Sequence, residues 1–469
     1  MAPYSYMAAR RLLAKIKRGA PWHRLGPEAP TRIHKNRAAN LIDLHAARAA
    51  LKQAALSATS GLPAELAPLE DRRPLNITTS SPAQVLHELK KIRLLRESIH
   101  ETVSGETATL TPAPYHFGPH THEPGLRVLI REVANRDIRA FDPGRHQWPV
   151  SNVDGPIDVV YTWVDGSDDE WRRRRDATLA RITAMHGSRR WHTNATDSSR
   201  FIDSDELRYS LRSVFTFANW VNHIYIVTDR QVPQWLDLSH PKISIVDHSE
   251  ILPRLTFNSH AIESALHRIP DIAERYLYLN DDVFFGRLAY PSDFFHPTGL
   301  AKFFPSDLPV YPGPPSIEDP PIMAAAKNGR DLIARRFGLT VTSKIRHTVH
   351  PQLRDVVEQM ERESPREFEL TRSSPFRAPT DISVASSLHH WYASALGRAV
   401  ADEPNYLYLD ISKPKSWQDL DGLAALRRYD TFCLNQEESG PYSVLARREL
   451  AKFLPKYFPL PAPWERDNT

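Results

Sequence analysis

The sequence has 469 residues but a single cysteine, Cys433. One thiol excludes an intramolecular disulfide framework and a multi-cysteine zinc site, and it is typical of a reducing compartment. No apolar run approaches the length of a membrane span or of a signal-peptide core. The net charge is only +4 although 25% of the residues are charged, which argues against a nucleic-acid partner. These absences predict a cytoplasmic protein with an ordinary surface.

Changes of composition along the chain predict three parts. Residues 1–155 are predicted to form an accessory region that is basic and largely helical, residues 156–440 the main domain, and residues 441–469 a C-terminal helix and tail. Met7–Arg18 alternates basic and small apolar residues. This pattern is typical of an amphipathic helix on an anionic membrane surface and equally of a solvated basic arm. Peripheral contact with the inner face of the membrane is therefore one expectation.

Short apolar runs typical of buried strands begin after residue 156. They are Ile157–Val164, Asn222–Thr228, Lys242–Val246 and Tyr276–Leu279. A helical pattern over Arg200–Val214 separates the first two runs, and this alternation predicts an α/β fold. The first run stops at Asp165 and Gly166. Open α/β sheets bind nucleotides where strands end in this way.

The stretch after the fourth run has the strongest signal for chemistry. Asn280, Asp281 and Asp282 follow that run directly, and adjacent carboxylates repel each other unless a cation or strong donors neutralise them. They suit a divalent metal that bridges to a phosphate, although a solvated turn would also use these residue types. Upstream, Glu263 and His267 lie four residues apart on a predicted helix. They would either point together toward the strand end or form a surface pair.

Several blocks resemble the four signature regions of the Stealth phosphotransferases. They are IDVVYTWVDG at 157–166, DSDELRYSLRSV at 203–214, IYIVTDRQVPQWL at 224–236, AIESALHRI at 261–269, YLYLNDDVFFG at 276–286, HTVHPQLRDVV at 347–357, FRAPTDIS at 376–383 and FCLN at 432–435. The blocks occur in the family's order, and the resemblance covers residues 156–440. It implies a GT-A or Rossmann-like core that binds a nucleotide sugar, with helical insertions, next to the mostly helical accessory region that the composition predicts.

The resemblance also implies an activity. Stealth enzymes transfer a sugar-1-phosphate from a nucleotide sugar to a hydroxyl of an acceptor glycan, which yields a phosphodiester and a nucleoside monophosphate. For this chain it implies a UDP-hexose or UDP-N-acetylhexosamine donor such as UDP-N-acetylglucosamine, release of UMP, a glycan acceptor of a capsule or cell envelope, and Mg²⁺ or Mn²⁺ as cofactor. Two alternatives stay open, a GT-A glycosyltransferase that releases UDP and a non-catalytic glycan-binding relative.

The matching motifs supply candidate site residues. The catalytic candidates are His347, Arg377, Glu263 and Asp282. The metal-binding candidates are Asp281, Asp282 and Asp381. The candidates for binding the donor substrate are Asp158, Trp163, Asp165, Gly166, Arg208, Asn280 and His267. The sequence departs from the family pattern at Gln436, where an acid is expected after the CLN motif.

Phosphoryl transfer explains why these residue types are suitable. The reaction needs neutralised charge around the phosphorus and a base for the proton of the attacking hydroxyl. The planar fork of Arg377 matches non-bridging phosphate oxygens, and the aspartates match a metal bound to the diphosphate. His347 is the side-chain type whose ordinary pKa makes it a base near neutrality. His350 and Glu263 are its rivals.

Overall fold

The structure is a computed structural model that describes residues 53–66, 75–91, 100–104, 107–111, 115–117, 120–122, 128–132, 138, 140–142, 153–186, 192–436 and 442–466. The basic segment Met7–Arg18 lies outside these residues, so its membrane contact and the cytoplasmic location stay predictions. Among the helices of the described ranges, none is both long and apolar enough to cross a membrane.

The described part of residues 1–155 is richer in strands than predicted. Residues 53–59 and α1 (Pro82–Lys90) are helical. The strands are β1 (Ala64–Leu66), β2 (Leu75–Thr79), β3 (His100–Ser104), β4 (Thr107–Thr111), β5 (Tyr115–Phe117), β6 (His120–His122) and β7 (Val128–Glu132). Five of them form a sheet of order β1-β2-β7-β4-β3. The prediction of a largely helical region is corrected here, because β2 buries alternate residues, the period of two that a strand requires.

The elements from residue 157 onward form the α/β part of the molecule. The strands are β8 (Ile157–Thr162), β9 (Ile224–Thr228), β10 (Ile243–Asp247), β11 (Arg275–Asn280), β12 (Val283–Phe285), β13 (Ala301–Phe303), β14 (Pro305–Pro309), β15 (Ser343–Ile345), β16 (His350–Leu353), β17 (Ala399–Ala401), β18 (Tyr406–Asp410) and β19 (Thr431–Asn435). The α-helices are α2 (Asp169–His186), α3 (Thr193–Thr196), α4 (Glu206–Phe217), α5 (His248–Ile251), α6 (Ser259–Glu263), α7 (Pro321–Phe337), α8 (Arg354–Glu363), α9 (Pro365–Ser373), α10 (His389–Ala395), α11 (Pro414–Leu426) and α12 (Ser443–Tyr457). Short 3-10 turns lie at Ser198–Phe201, Leu266–Arg268 and Pro291–Asp293, and a π-helical turn at Val384–Leu388.

A five-stranded sheet of order β10-β9-β8-β11-β16 lies at the centre of this part. The strands from β10 to β11 are parallel to their neighbours, and β16 is antiparallel to β11. Every residue of β9 is buried, as expected for a parallel strand that is covered on both faces. The predicted α/β class with a Rossmann-like core is confirmed.

The strand order creates a switch point at the carboxyl ends of β8 and β11. The chain runs outward from β8 through β9 to β10 and then returns to add β11 on the other side of β8. Ligands of open α/β sheets bind at such a point. Thr162 and Asn280, the last residues of the two strands, are paired there. Residues 163–166 and 280–282 therefore leave the sheet side by side.

Two later segments reach the same edge. In the small sheet β12-β19-β18, Cys433 lies opposite Val283, and the backbone N–H of Leu434 donates to the carbonyl of Asp282 at 3.0 Å. On the other side of β11, strand β16 begins three residues after His347. Tertiary pairing thus brings residues from distant parts of the chain beside Asp282.

Candidate active site

Four carboxylates near the carboxyl ends of β8 and β11 lie within electrostatic range of one another, and we call them the carboxylate cluster. Asp281 and Asp282 follow β11, whereas Asp203 and Glu206 lie where α4 begins. Burial, together with repulsion from other cluster members, raises the pKa values of Asp281 and Glu206. Burial also raises the pKa of Asp203 to about 6. A neighbouring cation stabilises the ionised form of such buried carboxylates.

Asp203 and Glu206 are not among the candidates suggested by the sequence. Two acids three residues apart at the start of a helix also match a capping pattern, which needs no ligand. In the structure the Glu206 carboxylate does accept from the backbone N–H of Ser204, at 2.5 Å. The sequence signal for a further role of Asp203 and Glu206 is their position inside a block that resembles a Stealth signature region.

The carboxylate cluster matches Mg²⁺ or Mn²⁺ by the type of its ligand atoms. Hard divalent cations prefer carboxylate oxygens, and burial, together with repulsion from neighbouring acids, disfavours the charged forms of Asp203, Glu206 and Asp281. A bound cation would favour those charged forms. The predicted metal ligands Asp281 and Asp282 therefore have two unpredicted companions.

We expect Mg²⁺ to raise the melting temperature of EDTA-treated protein, and to raise it more at about pH 8 than at about pH 5. With raised carboxyl pKa values the folded chain holds protons more tightly than the unfolded chain, so the unfolding free energy of the metal-free protein falls as pH rises through this window. The cation offsets the repulsion that ionisation creates. Thermal unfolding at both pH values measures the effect. The double variant Asp203→Asn, Glu206→Gln should lose most of it, and equal shifts at both pH values would contradict the prediction.

His347 lies beside the carboxylate cluster and contacts Asp282. The Nε2 atom is 3.3 Å from Asp282 Oδ1, and the Cys433 thiol donates to Oδ2 of the same carboxylate at 3.4 Å. Burial favours neutral His347, but Asp282 and then Glu263 outweigh burial and raise the pKa of His347. Burial likewise opposes ionisation of Asp282, but His347 outweighs it and lowers the pKa of Asp282. The His347 side chain is 32% exposed, so a substrate can reach it.

The rival histidine, His350, is placed differently. It is 2% exposed, and its Nδ1 atom lies 3.1 Å from Nε2 of the buried His390. Burial and then His390 lower the pKa of His350. Because a general base must reach its substrate, the geometry favours His347.

Glu263, the second rival base, is the last residue of α6 and is buried. Its carboxylate accepts a hydrogen bond from the Ser386 hydroxyl at 2.8 Å. Burial raises the pKa of Glu263, although Arg377 and Ser386 oppose this effect. Glu263 also favours the charged form of His347, so the two candidate bases lie within electrostatic range of each other.

Arg377 and Arg200 form a second charged group near Glu263, which we call the guanidinium pair. Arg377 donates from Nε and Nη2 to the Ser259 hydroxyl at 3.1 and 2.6 Å. Burial and then the charge of Arg377 lower the pKa of Arg200, and burial lowers the pKa of Arg377 against the effect of Glu263. Two guanidinium groups that repel each other suit a multiply charged phosphate. Arg200 is absent from the sequence-derived candidates.

Gly166 has a steric role beside the guanidinium pair. Its backbone N–H donates to the carbonyl of Phe201 at 2.6 Å. A Cβ atom at this position would lie 2.2 Å from that oxygen, so only glycine allows this approach. The approach holds the 3-10 turn Ser198–Phe201, which contains Arg200, against the end of β8.

Three predicted donor-binding residues remain at the sheet edge. Trp163 is buried directly after β8, and Asn280 is the last residue of β11. The Asp165 carboxylate accepts from the backbone N–H of Ser167 at 2.8 Å, which closes the turn before α2. Donor binding by these residues stays a prediction.

Asp158 lies at the amino end of β8, which is the end remote from the switch point. Its buried carboxylate accepts from Asn222 Nδ2 at 2.8 Å and from the backbone N–H groups of His223 and Ala273 at 3.1 and 2.7 Å. These bonds tie three segments together. The assignment of Asp158 to donor binding is corrected, because the strand separates this residue from the site.

We expect Asp158→Ala to lower the unfolding free energy by about 3 kcal/mol or more, because three donors lose their acceptor and the two backbone N–H groups cannot be removed with it. Urea unfolding measures this loss. Protein that remains folded should keep its turnover rate. A variant with normal stability but no turnover would show that Asp158 acts in the active site after all.

Arg208 and His267 are also engaged in structural contacts. The Arg208 Nε atom donates to Glu465 near the C-terminus at 2.7 Å. His267 Nε2 lies 2.8 Å from a carboxylate oxygen of Glu361 on α8. Because α6 ends at Glu263 and His267 lies in the following 3-10 turn, these two residues do not share a helix as predicted. Neither Arg208 nor His267 is placed against the carboxylate cluster by these contacts.

Asp381 is fully buried and holds together the segments that bear the catalytic candidates. Its Oδ2 atom accepts from Asn258 Nδ2 at 2.8 Å and from the backbone N–H of Ala378 at 2.9 Å, and it lies 3.2 Å from His260 Nδ1. Burial raises the pKa of Asp381 to about 7. Because its Oδ2 atom is already engaged by Asn258, Ala378 and His260, we leave Asp381 out of the proposed metal site. It positions Arg377 relative to α6 instead.

Comparison with known proteins identifies the family of this chain. Conserved regions 1, 2, 3 and 4 of the Stealth proteins match residues 155–183, 200–303, 346–394 and 421–469. An exopolysaccharide phosphotransferase of Nocardia farcinica is 41% identical over 352 residues, which are 72% of this chain and 67% of that protein. The chain belongs to the Stealth family. The resemblance inferred from the sequence motifs is confirmed.

Other Stealth relatives are longer than this chain. Two exopolysaccharide phosphotransferases of Streptomyces coelicolor are each 46% identical over 66% of this chain, and the match covers 52% of each relative. The chain thus spans about half their length. Among solved structures, galactosyltransferase LgtC with donor and acceptor sugar analogues aligns with 66% of this chain and 99% of its own, at 9% identity and a TM-score of 0.30. With a TM-score this low, the alignment supports no conclusion about this chain.

The Stealth regions supply different parts of one site. Region 2 contains the carboxylate cluster, Glu263 and Arg200, and region 3 contains His347 and Arg377. Region 4 contains Cys433. The regions are separated in sequence, and the sheet edge brings their polar residues together.

Proposed function

We propose that this Stealth protein transfers a sugar-1-phosphate from a nucleotide sugar to a hydroxyl of an acceptor glycan in exopolysaccharide synthesis. The donor is a UDP-hexose or UDP-N-acetylhexosamine, and UMP is released. The observation that carries the proposal is the position of His347, a reachable base held by Asp282 next to the carboxylate cluster. The names of the Streptomyces and Nocardia relatives support a phosphotransferase reaction.

His347 removes the proton from the acceptor hydroxyl. When Nε2–H donates to Asp282, the lone pair of Nδ1 is available for that proton. The acceptor oxygen attacks the β-phosphorus of the donor, and the bond from this phosphorus to the oxygen that bridges both phosphates breaks. The resulting imidazolium is stabilised by Asp282. Glu263 is the competing base in this scheme.

The guanidinium pair binds the donor phosphates. Arg200 gains from a bound anion, because burial and the charge of Arg377 both disfavour its charged form. As negative charge moves toward the leaving UMP, fixed cations stabilise the transition state more than the ground state. The Ser259 hydroxyl orients the Arg377 fork.

Mg²⁺ or Mn²⁺ is the cofactor that the carboxylate cluster would hold, through Asp203, Glu206, Asp281 and Asp282. When bound, such an ion supplies charge neutralisation for the diphosphate. The chain's own contribution is to keep these carboxylates within electrostatic range of one another near the switch point, where a nucleotide sugar enters from the carboxyl ends of the strands.

The nucleotide product tests the proposal. Purified protein is incubated with UDP-N-acetylglucosamine, Mg²⁺ and a mixture of simple sugars, and the released nucleotide is identified by mass spectrometry. UMP together with a phosphodiester-linked sugar supports the proposal. UDP together with a plain glycoside indicates a glycosyltransferase. Donor binding without turnover across a panel of nucleotide sugars indicates a non-catalytic glycan-binding protein.

A further inference from the structure

Three unlike metal-ligand atoms converge beside the carboxylate cluster. They are a carboxylate oxygen of Asp282, a ring nitrogen of His347 and the sulfur of Cys433, and all lie within 4.8 Å of one another. Each residue belongs to a different segment, at the end of β11, before β16 and within β19. We propose that Asp282, His347 and Cys433 together form a binding site for a soft divalent transition-metal ion such as Zn²⁺.

The separations of these atoms are close to the spacing of ligands around such an ion. Bonds of about 2.0 Å to nitrogen or oxygen and about 2.3 Å to sulfur in a tetrahedron place neighbouring ligand atoms about 3.3 to 3.6 Å apart. The observed separations are 3.3 Å from His347 Nε2 to Asp282 Oδ1 and 3.4 Å from Cys433 Sγ to the other oxygen of that carboxylate, Oδ2. One ligand atom from each of the three residues lies within 4.8 Å of the other two, so an ion between them requires the His347 and Cys433 side chains to turn toward one oxygen of Asp282.

The donor set differs in kind from that of the carboxylate cluster. An all-oxygen site prefers Mg²⁺ or Mn²⁺, whereas imidazole and thiolate ligands favour Zn²⁺ and related ions. Three protein ligands leave a fourth position for water, as in open zinc sites. The exposures of His347 and Asp282, 32% and 18%, give the ion a path from solvent. Cys433 lies at the buried end of this path.

Binding of the ion changes the protonation of two groups. The Cys433 thiol loses its proton to solvent and binds as thiolate. Nε2 of His347 gives its lone pair to the ion, so the proton of the imidazole lies on Nδ1 and that atom is no longer a base. Zn²⁺ would therefore inhibit transfer even with Mg²⁺ present. This inhibition rests on the proposed function, whereas binding of the ion does not.

Cobalt absorption tests the binding directly. Co²⁺ reports tetrahedral coordination through its visible bands and thiolate ligation through a charge-transfer band. Because Cys433 is the only cysteine in the sequence, a thiolate band has one source in the chain. We expect one Co²⁺ per chain with both signals, displaced by Zn²⁺ but not by excess Mg²⁺. Extended X-ray absorption of the Zn²⁺-loaded wild-type protein should show one sulfur ligand, and this measurement requires no variant.

Matched variants complete the experiment. Cys433→Ser keeps a donor for Asp282 and should abolish the thiolate band, and His347→Gln should weaken Co²⁺ binding at least about tenfold. His296→Gln, which changes an exposed histidine in a loop, should leave both unchanged. Absence of Co²⁺ binding, an octahedral spectrum without thiolate ligation, or equal binding by Cys433→Ser would overturn the proposal. None of these outcomes depends on turnover, so failure here is distinct from failure of the proposed reaction.

Discussion

Replacing His347 with glutamine is expected to slow sugar-phosphate transfer by about two orders of magnitude or more, while the fold stays intact. Glutamine can still donate a hydrogen bond to Asp282, but it has no lone pair of suitable basicity for the acceptor proton. The His347 side chain is 32% exposed, so its replacement leaves no large buried cavity. Steady-state rates of the purified variant, with circular dichroism to verify folding, measure the effect.

The pH dependence separates a base from a merely structural histidine. Asp282 and Glu263 raise the pKa of His347 despite its burial, so kcat/KM of the wild-type protein should fall as pH decreases through a value above the ordinary histidine pKa of about 6.5. His347→Gln should lose this limb, and His296→Gln should keep it. Near-normal turnover with an unchanged limb in folded His347→Gln would remove His347 from the mechanism and make Glu263 the base.

Replacing Arg377 with alanine is expected to have an effect of similar size, a loss of about two orders of magnitude or more in transfer rate. The guanidinium is oriented by two hydrogen bonds to Ser259, and its planar fork can bind two phosphate oxygens at once. Lysine offers only a point charge, so Arg377→Lys should restore little of the rate. Arg200→Ala should slow the same step, because the two groups act on one anion.

An exposed arginine provides the control for Arg377. Arg335 on α7 pairs with Glu367 at the surface, at 2.8 Å and with 61% of its side chain exposed. Arg335→Ala removes one positive charge but should leave turnover within a small factor of wild type. If Arg335→Ala and Arg377→Ala slow transfer equally, the effect is one of net charge and Arg377 has no specific role.

Four strands of the central sheet can be predicted from the sequence. The four apolar runs correspond to β8, β9, β10 and β11 with ends that differ by at most two residues, because buried parallel strands leave continuous β-branched and aromatic runs. The region before residue 153 was predicted less well. Its short strands, such as β1 and β2, pair through contacts between segments that are separate in sequence. The local pattern of residues does not indicate which segments will pair.

The candidate site was only partly predictable from the sequence. Motif resemblance supplied the candidates Asp281, Asp282, His347, Arg377 and Glu263, whose roles stay predictions. It did not supply Arg200, Asp203 and Glu206, which became candidates only through their neighbours in the structure. It also assigned Asp158 to the site, although a motif gives no indication of the end of the strand at which a residue lies.

The sequence by itself determined the fold class, the family and the residue types available for phosphoryl transfer, because these depend on local periodicity and on the order of motifs. Tertiary structure alone decided which charges meet. The register of β16 against β11 and of β12 against β19 sets the distances from Asp282 to His347 and Cys433. Coulombic energies and pKa values depend on those distances and on burial, and neither quantity is contained in the spacing of residues along the chain.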